Sequence, residues 1–376
     1  MSVTGRTDVG TVEDLHASAT RMTGLDDFGD PGYVDGLATL LSAYGNEAAL
    51  TPAGSKQTRM LLRNVLVSRL LSEAAWRQYP AKGPIERPIF VTGLPRTGTT
   101  ALHRLLAADP AHQGLELWLT EVPQPRPPRP AWDEHPVFVM LRDAYRENAT
   151  FDGVHHLGPE QVEECWRLLC QSMRSVSFEC TAFIPSYSRW LAGQDWTGAY
   201  RRHRRNLELI GLNDPGRRWV LKNPSHLFAL DALLAVYPDA VIIQTHRDPR
   251  AVIGSVCSLN AAASAGWSTI YSGQTLGRAQ LELWSRGLRR FRSARERHDP
   301  AHFIDVRYED FVADPLGTIA AIYRRLGLDL RDDARAAMSA VHAESMRGTR
   351  RPAHAYSLEE YGLSPAQVDE AFGVAG

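Results

Sequence analysis

Cysteine is scarce in this sequence, and the few cysteines are poorly spaced for bonding to one another or to a metal. The chain has 376 residues and only four cysteines, none of which form a Cys-x-x-Cys pair. Four such residues are too few for a disulfide scaffold and lack the spacing of a zinc site. We therefore expect reduced thiols in a cytoplasmic protein, and no bound metal. The cysteines are Cys165, Cys170, Cys180 and Cys257.

Long apolar runs and an excess of positive charge are also missing. No stretch approaches the length of a membrane span, and the first residues contain no apolar signal core. This excludes an integral membrane segment but leaves room for a lipid-like substrate. The formal net charge of −1 gives no global basic field that would attract nucleic acid. The expected partner is therefore a small-molecule or lipid-like compound, bound by basic residues that act locally.

What the sequence does contain is an anion-binding loop in residues 86–108, ERPIFVTGLPRTGTTALHRLLAA. The β-branched run that ends at Thr92 predicts a buried strand, and the leucines after Thr99 repeat at helical spacing. Gly93 and Gly98 bracket the turn between them. Backbone N–H groups and a helix N-terminus face inward in such a turn and favour negative charge. The segment therefore predicts a phosphate-binding site at a strand end.

One residue type separates this loop from the common nucleoside-triphosphate loop. That loop requires a lysine and then serine or threonine after its second glycine, whereas the pair here is Thr99-Thr100. Arg96, inside the loop, is the nearby cation. The loop is therefore expected to bind a phosphate-like group without the magnesium apparatus of kinases. A kinase or ATPase on the same fold is the alternative, and it would need the missing lysine and an acidic magnesium ligand.

Two later strands are predicted to end in cations. Trp219–Leu221 reads as a strand that delivers Lys222, with His226 close behind. Residues 240–244 read as a buried strand that ends before Arg247, and Ser255 follows on the next helix. The carboxyl ends of parallel strands meet at one sheet edge, where ligands bind. Arginine and serine at that edge can bind one phosphate together.

These motifs resemble those of sulfotransferases that use 3′-phosphoadenosine 5′-phosphosulfate (PAPS). LPRTGTT is similar to the 5′-phosphosulfate loop in its bacterial form. Arg247 with Ser255 resembles the site for the 3′-phosphate, and Tyr308-Glu309-Asp310 resembles an element whose tyrosine lies near the adenine. The resemblance implies a three-layer α/β/α fold with a central, mainly parallel sheet and a P-loop-like loop. It also implies PAPS as co-substrate, with no metal, and transfer of a sulfuryl group to a hydroxyl or amine.

The resemblance also assigns roles to individual residues. Lys222 and Arg96 would offset charge on the bridging oxygen as it leaves. A basic, glycine-containing loop near the C-terminus would cover the 3′-phosphate, with Arg350 and Arg351 as candidates beside Arg347. The full set of expected PAPS-binding residues is Arg96, Thr97, Gly98, Thr99, Thr100, Arg247, Ser255, Tyr308, Arg350 and Arg351.

The general base is left open by the sequence. Relatives place a histidine two residues after the strand-edge lysine, whereas His226 comes four residues after Lys222. The alternative is a histidine or acid near the start of a helix predicted from Gly158, a segment also expected to contact the acceptor. Its candidates are His155, His156, Glu160, Glu163 and Glu164.

The remaining expectations concern organisation. Residues 1–82 are predicted to form an N-terminal helical segment, which would either cover the active site or make a homodimer contact, and residues 83–376 the sulfotransferase α/β domain. Residues 123–130, with five prolines in eight, predict an extended, solvent-facing linker. The aromatic, apolar region 175–210 favours a small, glycoside or lipid-like acceptor. A non-catalytic nucleotide-binding protein is the other alternative.

Overall fold

The centre of the molecule is a five-stranded, all-parallel sheet. The computed structural model describes residues 8–147, 158–347 and 357–373. The strands lie in the order β2-β3-β1-β4-β5. Their bounds are β1 Ile89–Gly93, β2 His112–Gln113, β3 Arg218–Lys222, β4 Val241–His246 and β5 Phe303–Arg307.

Helices surround the sheet and make up most of the chain. Those in the described ranges are α1 Val12–Thr23, α2 Val34–Asn46, α3 Pro52–Gln78, α4 Thr99–Ala107, α5 Leu117–Glu121, α6 Pro136–Glu147, α7 Trp166–Cys170, α8 Pro185–Ala192, α9 Thr197–Ile210, α10 Leu230–Val236, α11 Pro249–Ala263, α12 Gly273–Arg295, α13 Tyr308–Ala313, α14 Pro315–Leu326, α15 Asp332–Arg347 and α16 Pro365–Phe372.

β1, β3, β4 and β5 contribute residues to two separate cores, one on each face of the sheet. Ile89 and Val91 of β1 pack with α4, α14 and α15, whereas Phe90 between them joins the larger core on the opposite face. This is the period-two alternation of a strand, with both faces apolar because both are covered. The predicted three-layer α/β/α class with a parallel central sheet is confirmed.

The N-terminal helices pack into the larger core. Thr11 caps α1, since its hydroxyl accepts from the Asp14 N–H and the Asp14 carboxylate accepts from the Thr11 N–H. Leu37 of α2 and Leu66 of α3 are fully buried in the core that also contains Phe90. The division of the chain at residue 82 and the homodimer contact stay predictions.

The proline-rich segment 123–130 is exposed only at residues 128–130, so the expectation of a solvent-facing linker was wrong for the residues before them. Arg126 at its centre is 5% exposed. Its guanidinium forms ion pairs with Glu116 at 3.0 Å and with Asp214 at 2.7 Å, and donates to the Gly114 carbonyl at 2.5 Å. The prolines fix an extended backbone, and this one buried cation holds it against the protein. Asp214 lies 88 residues away in the chain, so composition alone could not reveal the contact.

Arg126→Ala should destabilise the fold strongly, because it leaves the Glu116 carboxylate partly buried without its partner. Removing one member of a buried ion pair costs about 3–5 kcal/mol. We expect a loss near the lower end in the free energy of urea unfolding. Arg129→Ala is the matched control, since Arg129 is exposed and contacts the Trp132 ring at 4.5 Å. That control should cost about 1 kcal/mol or less; equal losses for both variants would contradict the role given to Arg126.

The described residues bear on two features that the sequence is expected to lack, a membrane span and disulfide bonds. No helix within them is long and apolar enough to cross a membrane. All four cysteines lie in the described ranges, and each is a free thiol.

Candidate active site

The carboxyl ends of β1 and β4 form a crevice between neighbouring parallel strands. The chain leaves β1 toward β2 and β3, and it leaves β4 toward β5, so the connections diverge at this point. Such a topological switch point is where open α/β sheets bind ligands. Two of the predicted anion-binding segments, the turn at residues 93–98 and the turn after β4, start here.

The turn after β1 depends on its two glycines. Gly93 has φ +144°, and a Cβ atom there would lie 2.4 Å from the Thr245 hydroxyl oxygen of β4. Gly98 has φ +84° and precedes α4, and a Cβ atom there would lie 3.2 Å from the Tyr308 ring. Only glycine adopts these conformations without strain, and only glycine fits this close to β4 and Tyr308. The turn therefore presents its backbone to the crevice.

Side chains from β4 and α11 attach to this turn. Arg247 donates from Nη1 to the Arg96 carbonyl at 2.7 Å, and Arg96 donates from Nε to the Ser255 hydroxyl at 3.0 Å. The Thr97 hydroxyl lies 2.6 Å from both the Leu94 carbonyl and the Thr245 hydroxyl. The two predicted anion pockets are therefore adjoining, on the same side of the sheet.

Tyr308 completes this side of the crevice. The Arg247 guanidinium lies 4.1 Å from the centroid of the Tyr308 ring, in cation–π geometry. Tyr308 begins α13, directly after β5, so a third strand end contributes to the site. The half-buried Tyr308 ring offers a flat surface beside the Arg247 guanidinium and carries its own hydroxyl group.

Lys222 lies at the end of β3, on the other side of β1. Its side chain is 2% exposed, and its ammonium donates to the Thr100 hydroxyl at 3.1 Å. It also forms an ion pair with Glu164. Thr100 lies in the first turn of α4, so the ammonium is held at the positive end of that helix beside the anion-binding turn.

Glu164 lies on an extended segment that brings it to Lys222. The prediction of a helix that begins at Gly158 was therefore wrong. Residues 161–163 pair with residues 115–117: the Glu163 N–H donates to the Leu115 carbonyl at 2.7 Å, and the Leu117 N–H donates to the Gln161 carbonyl at 2.9 Å. The Cys165 N–H then donates to the Lys222 carbonyl at 3.0 Å. Because of these long-range bonds, α7 begins only at Trp166, and Glu164 is fixed beside β3.

The Glu164 carboxyl group is held in an unusual electrostatic environment. Burial raises its pKa, the Lys222 ammonium opposes that rise, and the nearby Glu163 charge adds to it. Its side chain keeps 24% of its surface exposed. A carboxylate with a raised pKa that keeps part of its surface exposed is a candidate proton acceptor.

The comparisons with known proteins decide the family. The profile described as "Sulfotransferase family" matches residues 88–333, which contain every strand and every described residue of the site. The chain belongs to the sulfotransferase family. The prediction of a sulfotransferase, made from three separated motifs, is confirmed.

Solved mycobacterial sulfotransferases share the whole fold. The sulfotransferase STF1 from Mycobacterium tuberculosis is 54% identical, with a TM-score of 0.91, over 98% of this chain and 99% of that one. STF9 from Mycobacterium avium is 27% identical, with a TM-score of 0.87, over 99% and 97%. A curated relative in Mycobacterium bovis and in Mycobacterium tuberculosis is named omega-hydroxy-beta-dihydromenaquinone-9 sulfotransferase Stf3. It is 27% identical, and the match spans 64% of this chain and 63% of Stf3.

His226, the first candidate for the general base, lies in the interior of the protein. It is 1% exposed, in a 3-10 turn after β3, with Nδ1 2.7 Å from the Tyr200 hydroxyl and its ring edge-on to Phe90. Burial and the neighbouring His203 and Lys222 charges lower its pKa well below the usual value. Nε2 has no partner among the described residues. The structure therefore places this imidazole in the core, against the rings of Phe90 and Tyr200.

The other predicted residues divide into three groups. Arg96, Thr97, Gly98, Thr99, Thr100, Arg247, Ser255 and Tyr308 all lie in or beside the crevice. Glu160 is exposed in the turn before the segment that carries Glu164. Glu163, next to Glu164 in the chain, is buried. His155, His156, Arg350 and Arg351 lie outside the described residues. Within the described ranges, no cluster of ligands could hold a metal ion.

Proposed function

We propose that this sulfotransferase moves the sulfuryl group of PAPS to a hydroxyl of a small or lipid-like acceptor and releases adenosine 3′,5′-bisphosphate (PAP). The observation that carries the proposal is the set of contacts at the strand ends: Arg247 and Ser255 contact Arg96 of the glycine turn, and Lys222 contacts Thr100 at the start of α4. Cations and hydroxyls on both sides of the turn suit a nucleotide that carries anionic groups at both ends of its ribose.

The residues present fit such a donor. The backbone N–H groups of residues 96–100 and the start of α4 would hold the 5′-phosphate, since no Cβ stands at Gly98. The hydroxyl of Thr97 is occupied by Thr245, so Thr97 would contribute its backbone N–H. Arg247 and Ser255 would bind the 3′-phosphate, and Tyr308 would contact the adenine. PAPS supplies the activated sulfuryl group and its leaving phosphate.

Catalysis would then depend on the pair at the other end of the crevice. Glu164 would take the proton from the acceptor hydroxyl while a new S–O bond forms and the S–O bond to the 5′-phosphate breaks. Lys222 would balance the negative charge that develops on the bridging oxygen, and Arg96 would assist it. Transfer of this loose kind depends mostly on positioning and fixed charge. We prefer Glu164 to His226 as the base because Glu164 contacts Lys222 and is accessible.

The acceptor is proposed to be lipid-like or another small alcohol. Stf3, by its name, acts on an omega-hydroxylated dihydromenaquinone, a lipid-like alcohol. The match covers less than two thirds of Stf3, 63%, at 27% identity. We therefore carry over the acceptor class by analogy, and not the compound itself.

Two measurements test the proposal. Calorimetry should show that PAP binds and that ATP with magnesium binds far more weakly; the opposite order would favour the kinase alternative. Incubation with PAPS and a panel of alcohols, phenols and glycosides should give products heavier by one sulfuryl group in mass spectrometry. PAP binding without transfer to any acceptor would favour a non-catalytic nucleotide-binding protein.

Arg247→Ala should weaken PAP binding by about 10- to 100-fold, because it removes a charge-assisted contact worth roughly 1.5–3 kcal/mol. Arg250→Ala is the matched control: Arg250 lies three residues later on α11, is exposed, and pairs with Asp369 instead. Calorimetry on both variants checks this. Equal PAP affinity in the two variants would remove Arg247 from the 3′-phosphate site.

A further inference from the structure

A cavity of about 180 Å³ lies between α8 and α12, apart from the crevice at the strand ends. We call it the α8–α12 cavity. Apolar side chains form much of its wall, among them Phe183, Ile184 and Leu283. An engineered apolar cavity of about 150 Å³ holds one benzene ring, so this volume is sufficient for a single six-membered ring.

A charged pair, of which the acid is buried, also lines the cavity. The Glu179 side chain is 7% exposed, and its Oε2 accepts from Arg286 at 3.1 Å and from the Ser188 hydroxyl. The second carboxylate oxygen, Oε1, and the Nε of Arg286 have no hydrogen-bond partner among the described residues. Buried polar atoms are normally satisfied, so one acceptor and one donor here call for a ligand or water.

The charges of the lining favour a neutral guest. Besides Glu179 and Arg286, the cavity is lined by Arg189 and Glu282, which are exposed at its edge. Two acids and two arginines balance, so an ammonium or a carboxylate would meet a like charge as well as an opposite one. A hydroxyl group can donate to a carboxylate oxygen and accept from a guanidinium, and it brings no net charge.

The backbone that carries Glu179 is fixed by Tyr271. The Tyr271 hydroxyl donates to the carbonyls of Glu179 and Cys180, each at 3.2 Å, and holds this backbone in place.

We propose that the α8–α12 cavity is a subsite, separate from the crevice at the strand ends, for a neutral, hydroxyl-bearing ring of sugar type. The wall contacts the ring face, and Glu179 with Arg286 binds one hydroxyl.

The test uses octyl β-D-glucopyranoside below its micelle concentration, with binding followed by ligand-observed NMR on the full chain. Ala279→Leu adds a larger side chain to the α12 wall of the cavity, and Ala192→Leu makes the same change at an exposed position on α8. We expect saturable binding in the unaltered protein and in Ala192→Leu, and binding about tenfold weaker or lost in Ala279→Leu. Absence of saturable binding, or equal binding by both variants, overturns the subsite.

Charge selection is tested with octyl β-D-glucuronide, which adds a carboxylate to the same ring. The unaltered protein should prefer the glucoside. Glu179→Gln should shift this preference toward the glucuronide, since one acid is removed beside Arg286; an unchanged preference overturns the role of the pair. The thermal midpoint confirms that the variant is folded. PAP affinity, measured separately, should be the same in the unaltered protein and in all variants. Failure of the unaltered protein to bind PAP would count against the proposed function and not against the subsite.

Discussion

Lys222→Met should lower the rate of sulfuryl transfer by about 10²–10³-fold, the loss typical when one preorganised charge is removed from a transition state. The ammonium is 2% exposed and is fixed by Thr100 and Glu164, so it needs no reorganisation when charge develops on the bridging oxygen. Methionine keeps most of the length and the apolar stem but removes the charge. The measurement is single-turnover transfer from PAPS to an acceptor identified by mass spectrometry.

The control for this variant separates chemistry from folding and donor binding. Lys56→Met makes the same substitution at an exposed position of α3 and should leave transfer unchanged. Lys222→Met should also weaken PAP binding, because PAP keeps the 5′-phosphate oxygen whose charge Lys222 balances, so transfer is compared at saturating PAPS. Removing Lys222 also leaves Glu164 unpaired, so the thermal midpoint must be recorded. Transfer at the normal rate in folded Lys222→Met would exclude this lysine from catalysis.

The residues that the sequence placed well are those at strand ends. β1 and β4 are followed at once by the glycine turn and by Arg247, and β3 ends in Lys222. A parallel arrangement brings carboxyl ends to one edge, so three local patterns were sufficient to place these segments together. The contact between Arg247 and the Arg96 carbonyl is the detail that joins them.

Glu164 could be proposed but not positioned, because its place depends on pairing between distant segments. Gly158-Pro159 followed by several acids is a strong local signal for a helix start. The structure instead pairs Val162 with Glu116 in an antiparallel bridge. Backbone bonds between residues 115–117 and 161–163 outweigh the local preference, and no pattern within either segment predicts its partner. Arg126, whose partners include Asp214, illustrates the same limit.

His226 shows a different limit of prediction from sequence, because spacing along the chain does not show where a side chain points. Four residues after Lys222, a regular α-helix would have returned the side chain toward the strand end. The segment forms a 3-10 turn started by Asn223, whose side chain accepts from the Ser225 N–H. That turn sends His226 into the core beside Phe90 and Tyr200.

Glu164→Gln should reduce transfer by about 10²–10⁴-fold, the usual contribution of a general base. Glutamine keeps the size and can still accept a hydrogen bond from Lys222, so the fold and PAP affinity should be maintained. Glu160→Gln, four residues earlier at an exposed position, is the matched control and should transfer normally. His226→Ala should lower the thermal midpoint through loss of its contact with Tyr200, while transfer per folded molecule changes little. The reverse result, with His226→Ala inactive and Glu164→Gln active, would restore the histidine as base.

The pH profile provides a second, independent readout of Glu164. Burial raises its pKa above the ordinary glutamate value, and the base must be deprotonated to act. Transfer in the unaltered protein should therefore rise with pH through that raised pKa and fall below it, at a higher pH than an ordinary glutamate would give. In Glu164→Gln this acidic limb should disappear and leave a low, flat rate. An acidic limb that persists unchanged in Glu164→Gln would mean that another group is the base.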